Sequence, residues 1–246
     1  MEITFAEFKE PRSGAVVVGV WEEGALTPAA RRLDETTSGV ITRALSVAPR
    51  FKGKKDELLP IVAPANVPVS RIVLAGLGKP EDANARLFLQ LGGHLIAHLN
   101  SAGETEATFA VDADDGAVIG QTEAAAQLAL GARLRSYRFD KYKTKQKPEQ
   151  KPSLERLTIA TSDPGGAERA YQRRDQEAKA VFFTRDLVSE PGNVIYPETL
   201  AAQAETLSEL GVAVDVFDEE KMRKLGMNAL LGVAQGSAHP ARLVVM

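Results

Sequence analysis

Residues 14–21 read GAVVVGVW, a run of apolar residues of strand length. Such a run fits a strand whose two faces are both covered, because a half-solvated strand alternates apolar with polar residues. Four further stretches resemble it: 58–63 (LLPIVA), 71–77 (RIVLAGL), 106–111 (EATFAV) and 156–160 (RLTIA). Between them lie helical patterns at Glu35–Leu45, Asp82–Leu99 and Val118–Leu134, the second carrying Leu87, Leu91, Leu95 and His98 near helical spacing. Strands alternating with helices predict an α/β domain with a largely parallel sheet covered on both sides.

Outward from this core the composition changes. Residues 138–156, RFDKYKTKQKPEQKPSLER, hold seven Lys or Arg among nineteen residues, and two prolines. Glutamates and prolines interrupt the charge and no stacking platform accompanies it, so a solvated loop is the better reading and a nucleic-acid patch the weaker one. A long helix is expected from about Ala167 to Val188, with Tyr171, Ala178, Val181, Phe182 and Val188 on one stripe and Pro191 as its stop. Pro197 suits the first turn of the next helix, and Gly211 its end. Val212, Val214 and Val216 alternate as a strand. Asp218 can cap the short helix EEKMRKL, which Gly226 ends, and Asn228–Val233 can form another turn or two. Residues 242–246 (RLVVM) start a further strand. The two strands are expected in one βαβ unit, and a parallel pair needs a wider sheet and covering layers. More chain or a partner is therefore expected beyond Met246.

The bulk composition sets limits. The chain has 246 residues, 44% apolar and 26% charged, with a net charge of −3. This is ordinary for a globular protein and favours neither nucleic acid nor an anionic membrane. No cysteine is present, which removes disulfides, thiolate metal sites and a cysteine nucleophile. The N-terminus lacks a signal-peptide core, and no apolar run approaches the roughly 18 residues of a membrane span. A cytoplasmic location is the expectation.

Candidate chemistry is sparse. His94 and His98 sit four apart on a predicted helix, the spacing of a helical zinc pair, but the residues between them are Leu95, Ile96 and Ala97 rather than including a glutamate. Packing roles suit them better than ligation. His239, ahead of Pro240, reads as structural. Residues 76–79 (GLGK) follow a strand and precede a helix, where backbone amides can hold a phosphate, yet position 81 is Glu where a dinucleotide fingerprint needs glycine. A tight turn is preferred. Ser237 follows Gly236 directly, with Gly232 upstream, and lacks the spacing of a nucleophile elbow. No catalytic, cofactor-binding or metal-binding residue is assigned on these grounds.

Residues 184–193 (TRDLVSEPGN) with 197–200 (PETL) closely resemble the segment that opens the catalytic domain of leucyl aminopeptidases. Residues 226–237 (GMNALLGVAQGS), followed by 240–245 (PARLVV), resemble that family's next stretch. Residues 137–145 (YRFDKYKTK) are similar to a segment near the end of its N-terminal domain, and 74–78 (LAGLG) also fits. The resemblance implies a macro-domain-like N-terminal α/β domain over 1–165, a linker helix over 166–190, and the start of an α/β catalytic domain over 191–246. It implies, for a whole enzyme, release of N-terminal residues from peptides, two divalent metals (zinc, manganese or magnesium) and a homo-hexamer. The family's Lys-Gly-x-Thr-Phe-Asp-x-Gly-Gly and Asn-Thr-Asp-Ala-Glu-Gly-Arg motifs, which carry metal ligands and catalytic groups, are not in residues 1–246. Arg185, Asp186, Glu190 and Asn193 match family positions and read as scaffold, with Arg185 and Asp186 capping or pairing at the helix end. These 246 residues alone are thus expected to be inactive and to bind no metal. Two other readings stand beside this one. One is a nucleotide or ADP-ribose-type binding module at the carboxyl ends of the strands, resting on Gly76–Lys79. The other is a DNA-binding regulator, resting on the basic stretch 141–147.

Overall fold

Seven consecutive residues of the GAVVVGVW run, Ala15–Trp21, form a fully buried strand. The computed structural model describes residues 1–112 and 118–246. Two compact units are present, residues 1–182 and 183–246. In chain order the first unit runs β1 (Glu2–Ala6), β2 (Ala15–Trp21), α1 (Pro28–Thr36), α2 (Val40–Val47), β3 (Leu58–Val62), β4 (Arg71–Gly78), α3 (Ala85–Ser101), β5 (Glu106–Ala110), α4 (Gln121–Arg135), β6 (Arg156–Ala160) and most of α5 (Pro164–Ser189).

Six strands form one sheet in the order β1-β6-β5-β2-β4-β3. All neighbours are parallel except β3, which runs antiparallel to β4. Alternate residues of the central strands go to opposite faces. Ala15, Val17, Val73, Ala75, Phe109 and Ile159 join one core cluster, with Leu91, Leu95, Leu128 and Tyr171 from the helices. Val16, Val18, Ile72 and Leu74 join the other, with Ala29, Leu33 and Ile41. Each face thus has a helical cover, as the continuous apolar runs require.

Four local expectations need correction. The stretch 58–63 is not buried on both faces. β3 is an edge strand whose residues are half-buried or exposed, Val62 at 65%. Pro60 explains the placement, because it has no N–H for a second neighbour and is tolerated at an edge. The helix expected over Glu35–Leu45 is two helices, broken at Thr37–Gly39, where Gly39 takes a left-handed φ of 82°. β1 adds a sixth strand at the other edge. Its polar-apolar alternation (Ile3, Phe5) is a half-buried edge pattern, and Phe5 meets the Tyr171 ring at 5.6 Å between centroids. The stripe of α5 is buried only in part: Tyr171 and Ala178 are buried, whereas Val181 is exposed and Val188 is 80% exposed.

α3 and α4 pack at backbone distance. A Cβ on Gly131 would lie 1.8 Å from the Leu89 carbonyl oxygen, and one on Gly92 would lie 2.1 Å from that of Leu128. Only hydrogen fits at both crossing points.

The second unit contains the end of α5, then α6 (Pro197–Glu205), β7 (Asp215–Phe217), α7 (Glu219–Lys224), α8 (Asn228–Ala234) and β8 (Leu243–Val245). Asp218 caps α7 by accepting from the Lys221 N–H at 2.8 Å, and Gly211 and Gly226 end their helices with positive φ. The two strands pair antiparallel, so they do not form the parallel βαβ unit expected of them. Strand character is confined to Asp215–Phe217, leaving Val212 and Val214 outside it.

Candidate functional site

The two histidines of α3 share a helix face but not a site. His94 Nδ1 lies 2.9 Å from Asp56 Oδ1 at the surface. His98 Nε2 is buried and has no hydrogen-bond partner among the described residues. Burial and the nearby Arg71 guanidinium lower the His98 pKa. A cation beside the imidazole also opposes a metal ion there. Arg71 itself is paired: its Nε donates to Glu104 Oε1 at 2.6 Å, while Ser70 Oγ donates to Glu104 Oε2 at 2.7 Å. Among the described residues no three His, Cys, Asp or Glu come together as a metal-binding group.

Two backbone amides of the turn at 76–79 are taken by protein. Gly76 N–H donates to the Glu57 carbonyl at 2.9 Å and Gly78 N–H to the Gly53 carbonyl at 2.8 Å. A Cβ at Gly76 would stand 2.0 Å from the Lys54 carbonyl oxygen. These glycines admit the 53–57 loop against the strand end, which accounts for them without a phosphate. The helix that follows, α3, starts only at Ala85, and its N-cap Asn84 accepts from Leu87 N–H at 3.1 Å.

The loop around Ser237 is exposed. Ser237 Oγ accepts from the His239 N–H at 3.0 Å, and the His239 ring stacks on Tyr196 at 4.1 Å. No base is positioned on Ser237 by these contacts, and His239 is held by stacking. Arg185 and Asp186 lie exposed in the last turns of α5, and both, with Glu190, are engaged by partners. Asn193 lies in the tight turn closed by Val194 N–H and Ile195 N–H on the Pro191 carbonyl. The basic stretch is irregular apart from one short turn at Pro148–Gln150. Asp140 draws in Arg138 at 2.8 Å and Lys143 at 3.3 Å, and Phe139 and Tyr142 meet edge to face at 5.8 Å.

One feature of the first unit has no counterpart among the residues singled out from sequence. At the carboxyl ends of β1, β5 and β6 lies a cleft of about 290 Å³, lined by Glu7, Phe8, Arg32, Asp112, Thr161 and Ser162 among others. Thr161 is 2% exposed, and its Oγ1 has no hydrogen-bond partner among the described residues. The other polar groups here are engaged: Ser162 Oγ donates to Gln121 Oε1 at 2.7 Å, Gln121 Nε2 donates to the Val111 carbonyl, and Asp112 Oδ2 accepts from Ala29 N–H at 2.6 Å. The only sequence signal was positional. Asp112 and Thr161 each lie just past the end of a predicted parallel strand, where open α/β sheets bind ligands.

Residues 17–146 match the model of the cytosol aminopeptidase family, N-terminal domain, and residues 182–246 match that of the cytosol aminopeptidase family, catalytic domain. The chain belongs to the cytosol aminopeptidase family. The probable cytosol aminopeptidase of Afipia carboxidovorans is 39% identical over 246 residues, covering 100% of this chain and 48% of that protein. That of Chelativorans sp. (strain BNC1) is 41% identical over 245 residues, covering 99% and 48%. The chain thus spans about half the length of the curated relatives it matches. A mutant tomato leucine aminopeptidase has the same fold over 99% of this chain and 50% of its own, with a TM-score of 0.83 at 23% identity. The bottromycin maturation enzyme BotP in complex with Mn has a TM-score of 0.70 at 22% identity, over 94% and 44%. The leucyl aminopeptidase resemblance and the mixed α/β fold with a mostly parallel sheet are both borne out. No helix among the described residues is long and apolar enough to cross a membrane.

Proposed function

We propose that residues 1–246 are the N-terminal portion of a metal-dependent aminopeptidase that releases N-terminal amino acids from peptides. The observation that carries this is the order and extent of the two family matches, an N-terminal domain at 17–146 followed by a catalytic domain at 182–246. Relatives matched over this whole chain extend to about twice its length. In this reading residues 1–165 form the N-terminal α/β domain, 166–190 the linker helix and 191–246 the start of the catalytic domain.

The whole enzyme would use two divalent ions, zinc, manganese or magnesium, to activate water and stabilise the developing oxyanion. Manganese has support from the Mn complex of BotP. The described residues of this chain do not fit such a pair. His94 is committed to Asp56, His98 faces a guanidinium, and no third ligand stands near either. The proposal therefore assigns metal ligands and catalytic groups to none of residues 1–246. A cytoplasmic homo-hexamer acting on peptides, with neither membrane nor nucleic acid as partner, completes the reading.

The test compares two proteins on a leucine chromogenic substrate with added manganese. The 246-residue chain is expected to release no product, and the parent protein, if blotting with an antibody to residues 1–160 shows one about twice this mass, is expected to be active. Turnover by the 246-residue chain would overturn the assignment.

A further inference from the structure

We propose that the cleft at the carboxyl ends of β1, β5 and β6 binds a free α-amino acid as its zwitterion. Three observations converge on it. The first is place: in open α/β sheets the carboxyl ends of parallel strands are where ligands bind, because loops there can vary without disturbing the sheet.

The second is an unmet hydrogen bond. Thr161 is held in position by its own backbone, whose N–H donates to the Ala6 carbonyl at 2.9 Å. Its hydroxyl nevertheless lies buried without an acceptor among the described residues, while the neighbouring Ser162, Gln121 and Asp112 have partners. Buried hydroxyls are rarely left so, and an arriving acceptor completes this one.

The third is charge of both signs in a small space. Arg32 projects over the Phe8 ring, its guanidinium carbon 5.3 Å from the centroid, and Glu7 lines the same cleft. A ligand carboxylate accepts from Thr161 Oγ1 and pairs with Arg32, its ammonium pairs with Glu7, and an aliphatic side chain lies against Phe8. A guanidinium matches a carboxylate in shape as well as charge. The volume of about 290 Å³ suits a molecule of this size. The site stands on the cleft alone, and it is independent of whether the parent protein is a peptidase. Should it be one, the ligand belongs to the class of its product.

Calorimetric titration of the 246-residue chain with L-leucine tests this without any activity assay. Saturable binding is expected, weakened at least about tenfold in both Thr161→Val and Arg32→Gln, the size of a lost hydrogen bond to a charged group. 4-Methylpentanoate, which lacks the ammonium, and isoamylamine, which lacks the carboxylate, are expected to bind more weakly than leucine. Thr161→Val keeps the side-chain shape and removes an unpartnered hydroxyl, so its melting temperature in the absence of ligand is expected to equal or exceed that of the unsubstituted chain. Loss of leucine binding together with that thermal result assigns the hydroxyl to the ligand. No saturable heat with millimolar leucine, or equal affinity in Thr161→Val, overturns the proposal. 4-Methylpentanoate binding as tightly as leucine also overturns it, in favour of a simple anion site, as does saturable binding of ADP without binding of leucine.

Discussion

His98 lies one turn from the end of α3, with its Nε2 buried and the Arg71 guanidinium, paired to Glu104, nearby. Desolvation first, and the Arg71 charge second, hold its pKa below the ordinary 6.5. The folded chain therefore binds this proton less readily than the unfolded chain. The associated stability is complete above pH 6.5 and is lost as the pH falls from there through the folded value. Urea midpoints measured from about pH 7.5 down to about pH 5 are expected to fall less in His98→Gln than in the unsubstituted chain. Equal slopes in the two proteins would remove His98 as the cause. The spacing of His94 and His98 correctly placed them on one helical face. It carried no information about Asp56 and Arg71, which reach that face from distant parts of the chain and give the two imidazoles opposite environments.

Elements here are often ended by a side chain some distance away. Asp34, inside α1, accepts hydrogen bonds from the N–H groups of Ile41 and Thr42 at 2.7 and 3.1 Å, and also from the Thr42 hydroxyl. It thereby caps α2 from the preceding helix, satisfying donors that a helix start otherwise leaves open. Asp34→Ala is expected to cost about 1–2 kcal/mol in chemical denaturation, and Asp34→Asn distinctly less, as for other N-cap positions. A loss no larger than about 0.3 kcal/mol in Asp34→Ala, below the usual range for a cap, would show that water replaces the carboxylate. Reading 35–45 as one helix failed at this point, since apolar spacing continues across the break while Gly39 reverses the backbone. The same limit explains β3. Its apolar run matches a buried strand, and only its single neighbour in the sheet leaves Val62 in solvent.

On the scale of the molecule, the two units differ sharply in what they bury. The first has a two-sided core of tens of buried side chains around the sheet. In the second, the buried apolar residues are Ala201, Met222 and Ala241, while Val233 is 90% and Leu210 80% exposed. Little apolar burial means low local stability. In hydrogen-exchange mass spectrometry the amides of β7 and α7 are expected to exchange well before those of β2 and β4. Equal protection in both units would contradict that difference in burial.

Strand-length apolar runs, helical periodicity and the Pro, Gly and Asp signals at helix ends determined the α/β class, the sheet's largely parallel character and most element positions, because those are consequences of neighbours close in the chain. The segments at 184–200 and 226–245 likewise declared the family from sequence alone. Edge or centre, parallel or antiparallel, and paired or unpaired were decided only in three dimensions. β7 and β8 run antiparallel although their spacing suits a crossover, and Glu104 is buried because Arg71 and Ser70 meet it there. The cleft beside Thr161 belongs to the same category. It is assembled from the ends of three strands and from Arg32 and Gln121 of two helices, groups more than a hundred residues apart, and no local pattern encodes a hydroxyl left without a partner.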